Sequence, residues 1–137
     1  MARLHITDVA PGGYRLSGAT VEDLPERATL RQILTQRLQA EVATYNRERG
    51  PKFQGLVQPA DAVRYSDGFK MASPRTLDDA QLFAAVEEAV KAGMVTFRFA
   101  QRTFADLDEE LDLGEDDQLT IVMRRPIIAR VDEPPAN

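Results

Sequence analysis

The stretch that decides the fold reads Val95-Thr-Phe-Arg-Phe-Ala-Gln-Arg-Thr-Phe-Ala-Asp-Leu-Asp-Glu-Glu-Leu-Asp-Leu-Gly-Glu-Asp-Asp-Gln-Leu-Thr-Ile-Val-Met123. Apolar residues alternate with polar ones at both of its ends. They are Val95, Phe97, Phe99, Leu119, Ile121 and Met123. A period of two predicts two strands, each with one face in the core and one face in solvent. We expect the leucines of the short acidic connection between them to close the edge of the core.

The first 49 residues predict two strands followed by a helix. Leu4 and Ile6 alternate with polar residues, and the alternation resumes over 14–21 after a Pro-Gly-Gly break, which is typical of an antiparallel hairpin. Thr29 and Gln32 have the spacing of a capping box at the start of a helix with an apolar stripe. We expect that helix to end in a left-handed cap at Gly50.

The middle of the chain predicts an insertion. Residues 52–74 mix turn residues with aromatics, which favours a loop or small hairpin packed on the domain. Thr76 then predicts the cap of a second helix, which should end at Gly93.

Composition limits the classes of protein. A chain of 137 residues with 43% hydrophobic and 28% charged residues fits one globular domain, and the lack of cysteine excludes disulfides and thiolate sites. Asp8 interrupts the start where a signal peptide needs an apolar run, and no window has the length of a membrane span. We therefore expect a cytoplasmic protein without a membrane partner.

The order of these patterns resembles the ubiquitin-like β-grasp superfamily over about residues 1–49 and 94–128. The resemblance implies an α+β fold, in which a mixed sheet of four to five strands packs against one main helix, with an inserted loop or hairpin and a second helix. The sequence predicts a single domain over 1–128, with an insertion at about 51–93 where the family passes almost directly to the next strand, and a flexible tail over 129–137 that contains Pro134-Pro135. Sulfur-carrier and modifier members end in Gly-Gly, whose carboxylate is adenylated, whereas the last glycine here is Gly114. The resemblance therefore implies a member that is not conjugated.

Candidate catalytic residues are few. His5 is the only histidine and should lie on the solvent face of a strand, and no serine stands in a nucleophile elbow. Eight carboxylates between Asp106 and Asp117 could ligate Ca²⁺ or Mg²⁺, but their order does not fit an EF-hand, and a solvated acidic face is the simpler interpretation. No phosphate-binding glycine motif is present. We predict neither an enzyme nor a cofactor or metal site.

The solvent face of the predicted strands is the candidate interaction face. Its members are His5, Arg98, Thr120, Val122 and Arg124. Binding modules use such faces, or add a partner strand at an open sheet edge. We therefore predict an interaction or adaptor module with a protein partner.

The alternative is nucleic-acid binding by residues 27–75, which carry nine basic and four acidic side chains. Its candidate basic and aromatic patch is Arg47, Arg49, Lys52, Phe53, Tyr65 and Phe69. Arginines can track phosphates while rings stack on bases. The remaining chain opposes a polyanion, because residues 76–137 carry a net charge of −8. The same patch could equally bind an acidic partner, or the acidic connection of a second copy.

Overall fold

The computed structural model describes residues 1–65, 68–73 and 75–129 of the chain. Within these residues the fold is α+β, with two helices and a mixed five-stranded sheet, as the sequence predicts at that level. The elements in chain order are β1 Ala2–Val9, β2 Arg15–Leu24, β3 Arg27–Thr29, α1 Leu30–Glu48, β4 Lys52–Phe53, β5 Val63–Tyr65, β6 Gly68–Lys70, α2 Asp79–Lys91, β7 Val95–Phe99, β8 Arg102–Phe104, β9 Glu110–Asp112 and β10 Asp117–Met123.

The main sheet has the strand order β2-β1-β10-β7-β8. The central pair, β1 and β10, is parallel, and every other pair in this sheet is antiparallel. Ile6 lies opposite Leu119, and Ile121 lies opposite Phe97, so the apolar residues of three strands share one face. Two small sheets accompany the main one: β3 pairs with β9, and β4, β6 and β5 form a three-stranded sheet.

Both helices cover the same face of the main sheet. Ile33 of α1 and Val86 of α2 are fully buried in one core with Leu4, Phe97 and Ile121 of the strands. Burying each such side chain contributes about 1.5–3 kcal/mol relative to leaving it exposed. The other face of the sheet carries no helix and stays in solvent.

Helix α1 begins as predicted and ends one residue early. The Thr29 side chain accepts from the Gln32 amide while the Gln32 side chain accepts from the Thr29 amide, which completes the capping box. The left-handed residue is Arg49, with φ of 46°, rather than the predicted Gly50. A residue before proline is pushed out of the helical region, so Pro51 keeps Gly50 out of the cap and the reversal falls on Arg49.

Helix α2 begins two residues later than Thr76 predicts. Asp78 is the cap, and its side chain accepts from the Ala80 amide. Asn46 of α1 explains the difference, because its side chain bonds both the amide and the carbonyl of Leu77, at 2.8 and 3.0 Å. That pair of bonds holds Leu77 outside the helix, and the C-terminus at Gly93 agrees with the prediction.

The insertion packs on the domain through its aromatics. Phe53 and Phe69 are paired across β4 and β6, stack at 6.4 Å between ring centroids and are both 1% exposed. The far side of the insertion meets the end of the described chain: Gln58 bonds Ile127 and Ala129 through backbone groups. Ala129, which the sequence assigned to the tail, is buried in the core, and the rest of that predicted tail lies outside the described residues.

A buried ionic cluster joins these elements. Arg37 of α1 donates from both terminal nitrogens to Asp8 of β1, at 2.7 and 2.6 Å, and from Nε to Glu41 at 3.1 Å. Ser17 of β2 also donates to Asp8 at 2.5 Å, and the Leu56 amide of the insertion donates to Glu41 at 3.2 Å. Asp8 is fully buried and Arg37 is 1% exposed. The cluster therefore ties the hairpin, the helix and the insertion together at one point.

We predict that Arg37→Met lowers the free energy of unfolding by about 3–5 kcal/mol, because it leaves the Asp8 carboxylate buried without its counter-charge. The control is Arg31→Met, which removes the exposed pairs with Asp108 and Glu87 and should cost only about 0–1 kcal/mol. Urea denaturation of both variants measures the difference. Equal losses in the two variants would show that the buried cluster is not a special constraint.

Candidate functional site

The helix-free side of the main sheet is the first candidate surface, and we call it the open face. One straight row crosses all five strands through Gly18, Thr7, Thr120, Arg98 and Thr103, each directly opposite the next. The structure therefore brings Arg98 and Thr120 of the predicted interaction face side by side. Val122 lies in the neighbouring row, opposite Val9 and Thr96. The open face is thus polar and rich in hydroxyls, with an apolar strip beside its main row.

His5 is held at one end of the open face. Its Nε2 lies 2.5 Å from Asp116 Oδ1, and its Nδ1 lies 3.1 Å from the Thr20 hydroxyl. The His5 side chain is 39% exposed, as expected for the solvent face of a strand. Because both ring nitrogens already have partners, His5 serves as an anchor between β1, β2 and the acidic connection.

Arg98 and Arg124 are two exposed cations of the open face. Among the described residues, no carboxylate lies within 4 Å of either guanidinium, whereas Arg27, Arg31 and Arg102 all have acidic partners. A concave space of about 520 Å³ lies beside Arg98. Its lining residues are Arg98, Phe99, Ala100, Gln101, Thr103, Gln118 and Thr120. The guanidinium, hydroxyls and amides can all donate hydrogen bonds, so this space suits a carboxylate-bearing side chain.

The turn beside this space has an uncommon backbone. Ala100 and Gln101 have φ of 50° and 64°, and together they form the two-residue connection between β7 and β8. Positive φ at both positions matches the twist of the flanking strands in a tight hairpin, although glycine or asparagine would adopt it with less strain. Ala100 and Gln101 line the concave space beside Arg98, so the conformation of this turn sets the shape of that space.

A groove between β2 and α1 is the second candidate surface. β2 is a terminal strand of the main sheet, and the groove along it holds about 430 Å³, with Thr20, Glu41 and Tyr45 among its walls. Gln36 donates to the outward carbonyl of Glu22 at 2.6 Å. The Tyr45 hydroxyl is buried at the groove, and no partner for it lies among the described residues. An extended segment could add to this edge, since an unpaired strand edge presents its backbone groups.

Several carboxylates of the acidic connection are paired with arginines of the chain. Arg31 donates to Asp108 at 3.0 Å and to Glu87 at 3.2 Å, and Arg102 donates to Glu109 at 3.1 Å. The hydrogen bond from Arg31 lowers the pKa of Asp108, and both carboxylates raise the pKa of Arg31. The described residues contain no group of three or more acidic or histidine side chains that could hold a metal ion. These carboxylates fasten the connection over the start of α1.

The predicted basic and aromatic patch is only partly assembled. Phe53 and Phe69 do not belong to it, because their rings are buried in the hydrophobic core and cannot stack on a base. Tyr65 is exposed and lies beneath the Lys52 ammonium at 4.8 Å from the ring centroid. Two other members, Arg47 and Arg49, stand exposed at the end of α1, where Arg49 donates to the Thr76 hydroxyl. The surface that remains has several cations and one ring.

The buried cluster also reaches a candidate surface, because Arg37 and Glu41 line the groove. Burial raises the pKa of Glu41, while the neighbouring Arg37 opposes that rise. Burial lowers the pKa of Arg37, but hydrogen bonds and charge from Asp8 and Glu41 outweigh it, and the net shift is upward. Arg37 is one of the nine basic residues of 27–75 on which the nucleic-acid alternative depends. The available signals of its burial were its position between Leu34 and Leu38 in the apolar stripe, and Asp8 continuing the alternation of Leu4 and Ile6.

We predict that Glu41→Gln changes how stability depends on pH. Because the folded state raises the pKa of Glu41, ionisation is less favourable in the folded than in the unfolded chain. Its contribution to stability is therefore lost as the pH rises from the unfolded pKa of about 4.3 through the folded value. The stability of the variant relative to the natural chain should thus improve between about pH 4 and pH 7. Thermal unfolding across this range measures it, and a relative stability that worsens with pH would contradict the upward shift.

No family model, curated protein or solved structure matches this chain significantly. No helix in the described part of the chain is both long and apolar enough to cross a membrane.

Proposed function

We propose that the chain is a ubiquitin-like β-grasp module that binds a protein partner and acts as a non-catalytic adaptor in the cytoplasm. The strand order β2-β1-β10-β7-β8 supports the fold assignment, since its central strands come from the two ends of the domain and run parallel. Helix α1 follows the β1–β2 hairpin and packs on the sheet, as the β-grasp resemblance implies. The insertion and α2 are additions to that layout.

The open face is the observation that carries the functional proposal. Both helices lie on the opposite side of the sheet, so the sheet offers an uncovered surface, with the space beside Arg98 next to the β7–β8 turn. Among the described residues, no carboxylate lies within 4 Å of Arg98 or Arg124, although the chain has a net charge of −5 and pairs several other arginines internally. A partner that supplies carboxylates and an apolar contact for Val122 fits this face, since interfaces combine polar pairing with desolvated apolar surface.

The non-catalytic assignment rests on the state of the titratable groups. His5 is engaged at both nitrogens, and the acidic connection is paired with arginines. Glu41 has a raised pKa, but it is bound to Arg37 and the Leu56 amide, which gives it a structural role. These arrangements support recognition rather than proton transfer.

Nucleic-acid binding by residues 27–75 is the alternative. Exposed cations around the end of α1 favour it. Two of its three candidate rings are buried, however, and Arg37 is enclosed with Asp8. Single-strand binding depends on stacked rings as well as charge, so the protein-binding proposal has the better support.

The proposal predicts that Arg98→Glu/Arg124→Glu lowers recovery of the partner about tenfold or more, because two cations aimed at the partner become repulsive. Tagged natural chain and variant are incubated with native lysate, and the bound proteins are quantified by mass spectrometry. The control, Arg47→Glu/Lys91→Glu, makes the same charge change away from the open face and should retain the partner.

Two outcomes would contradict the proposal. One is equal recovery by the open-face variant and the natural chain. The other is that nuclease treatment removes all bound material while the open-face variant still binds it, which would favour the nucleic-acid alternative. Calorimetry with the purified partner then separates a loss of affinity from a loss of folded protein.

A further inference from the structure

The inserted three-stranded sheet has a second uncovered face. Lys52, Lys70 and Val63 lie side by side across β4, β6 and β5, and Tyr65 follows Val63 on the same side of β5. All four side chains are exposed, whereas the opposite side of this sheet carries the buried Phe53 and Phe69. We call the set Lys52, Val63, Tyr65 and Lys70 the lysine face.

Two like charges stand directly opposite each other on the lysine face. Lys52 and Lys70 are cross-strand partners, and such a pair destabilises a sheet. Among the described residues, neither ammonium has a carboxylate within 4 Å. The chain thus keeps a repulsive pair of lysines exposed to solvent, although residues 76–137 carry a net charge of −8 and have carboxylates to spare. An anionic ligand across both lysines would turn this repulsion into attraction.

Apolar surface lies directly beside the charges. Val63 is 67% exposed and Tyr65 is 52% exposed, and they are two of only five large hydrophobic residues that are exposed in the described chain. The Lys52 ammonium lies 4.8 Å from the centre of the Tyr65 ring, which sets one cation over one aromatic surface. β5 is also a terminal strand of the small sheet, so it presents an edge.

We propose that the lysine face binds an extended acidic segment of a protein partner, with carboxylates on Lys52 and Lys70 and apolar side chains on Val63 and Tyr65. An extended segment that lies across the lysine face presents every second side chain to it, and these side chains can include both carboxylates and apolar groups. The lysine face lies on the insertion, so this site does not depend on the open face. A chain with both sites would hold two partners, or two parts of one partner.

The competing occupants fit the lysine face less well. A nucleic acid would find one exposed ring there, and the net charge of −5 would repel it at long range. The acidic connection of a second copy offers fewer free carboxylates, because Asp108, Glu109 and Asp116 are already paired with Arg31, Arg102 and His5. An acidic segment from another protein meets neither obstacle.

Fluorescence anisotropy tests the site with a labelled peptide in which every second residue is glutamate, valine or tyrosine and the residues between them are serine, so that one face of the extended peptide carries both the carboxylates and the apolar groups. The natural chain should bind it, and Lys52→Gln/Lys70→Gln should weaken the affinity about tenfold. The same variant should melt at an equal or higher temperature, because it removes the like-charge pair. Lys91→Gln/Arg125→Gln removes the same charge elsewhere and should bind as the natural chain does.

Three results would overturn the inference. They are no measurable binding of the peptide by the natural chain, equal binding by both double variants, and tighter binding of a mixed-sequence RNA oligonucleotide of equal charge. A matching peptide with lysine in place of glutamate should not bind. Sedimentation velocity without peptide should show a monomer, and a dimer lost in Lys52→Gln/Lys70→Gln would assign the lysine face to a second copy instead.

Discussion

The buried ion pair between Asp8 and Arg37 is the constraint on which the rest of the structure depends. Removing two charges from water is costly, and the cost is offset only when the geometry is good and the remaining atoms are bonded. Here Ser17 and Glu41 complete the hydrogen bonds, and Glu41 in turn receives the Leu56 amide. These groups come from β1, β2, α1 and the insertion, so few relative positions of the four segments satisfy the cluster.

This constraint explains how one small chain can offer separate surfaces. With α1 fixed to the β1–β2 hairpin, both helices stay on one side of the sheet and the open face remains uncovered. With the insertion fixed to Glu41, the buried aromatics face the core and the lysine face turns to solvent. The pairing of the cations also differs between these surfaces. Cations beside the acidic connection are paired within the chain, whereas among the described residues no carboxylate lies within 4 Å of Arg98, Arg124, Lys52 or Lys70.

Local patterns in the sequence were sufficient for strands β1, β2, β7 and β10, the capping box and the class of fold, whereas β3, β8 and β9 were not predicted. Long-range contacts decided the rest. The start of α2 depends on Asn46, which lies 31 residues before the Leu77 that it binds. In the sequence, Phe53 and Phe69 stand among cations and turn residues. Their burial depends on the pairing of β4 with β6, which places both rings on the same side of the small sheet. The burial of Arg37 was not predicted for a similar reason, because a charged residue within an apolar stripe is expected to be exposed until its partner is known.

Native-state amide hydrogen exchange tests most directly whether the cluster joins these segments into one unit. The decisive probe is the Leu56 amide, which belongs to the insertion and donates to Glu41. If the account is right, this amide exchanges only through global unfolding, with the same free energy and denaturant dependence as the amides of β1 and α1. Exchange of Leu56 through a local opening, while β1 and α1 stay protected, would show that the insertion moves independently and would contradict the account.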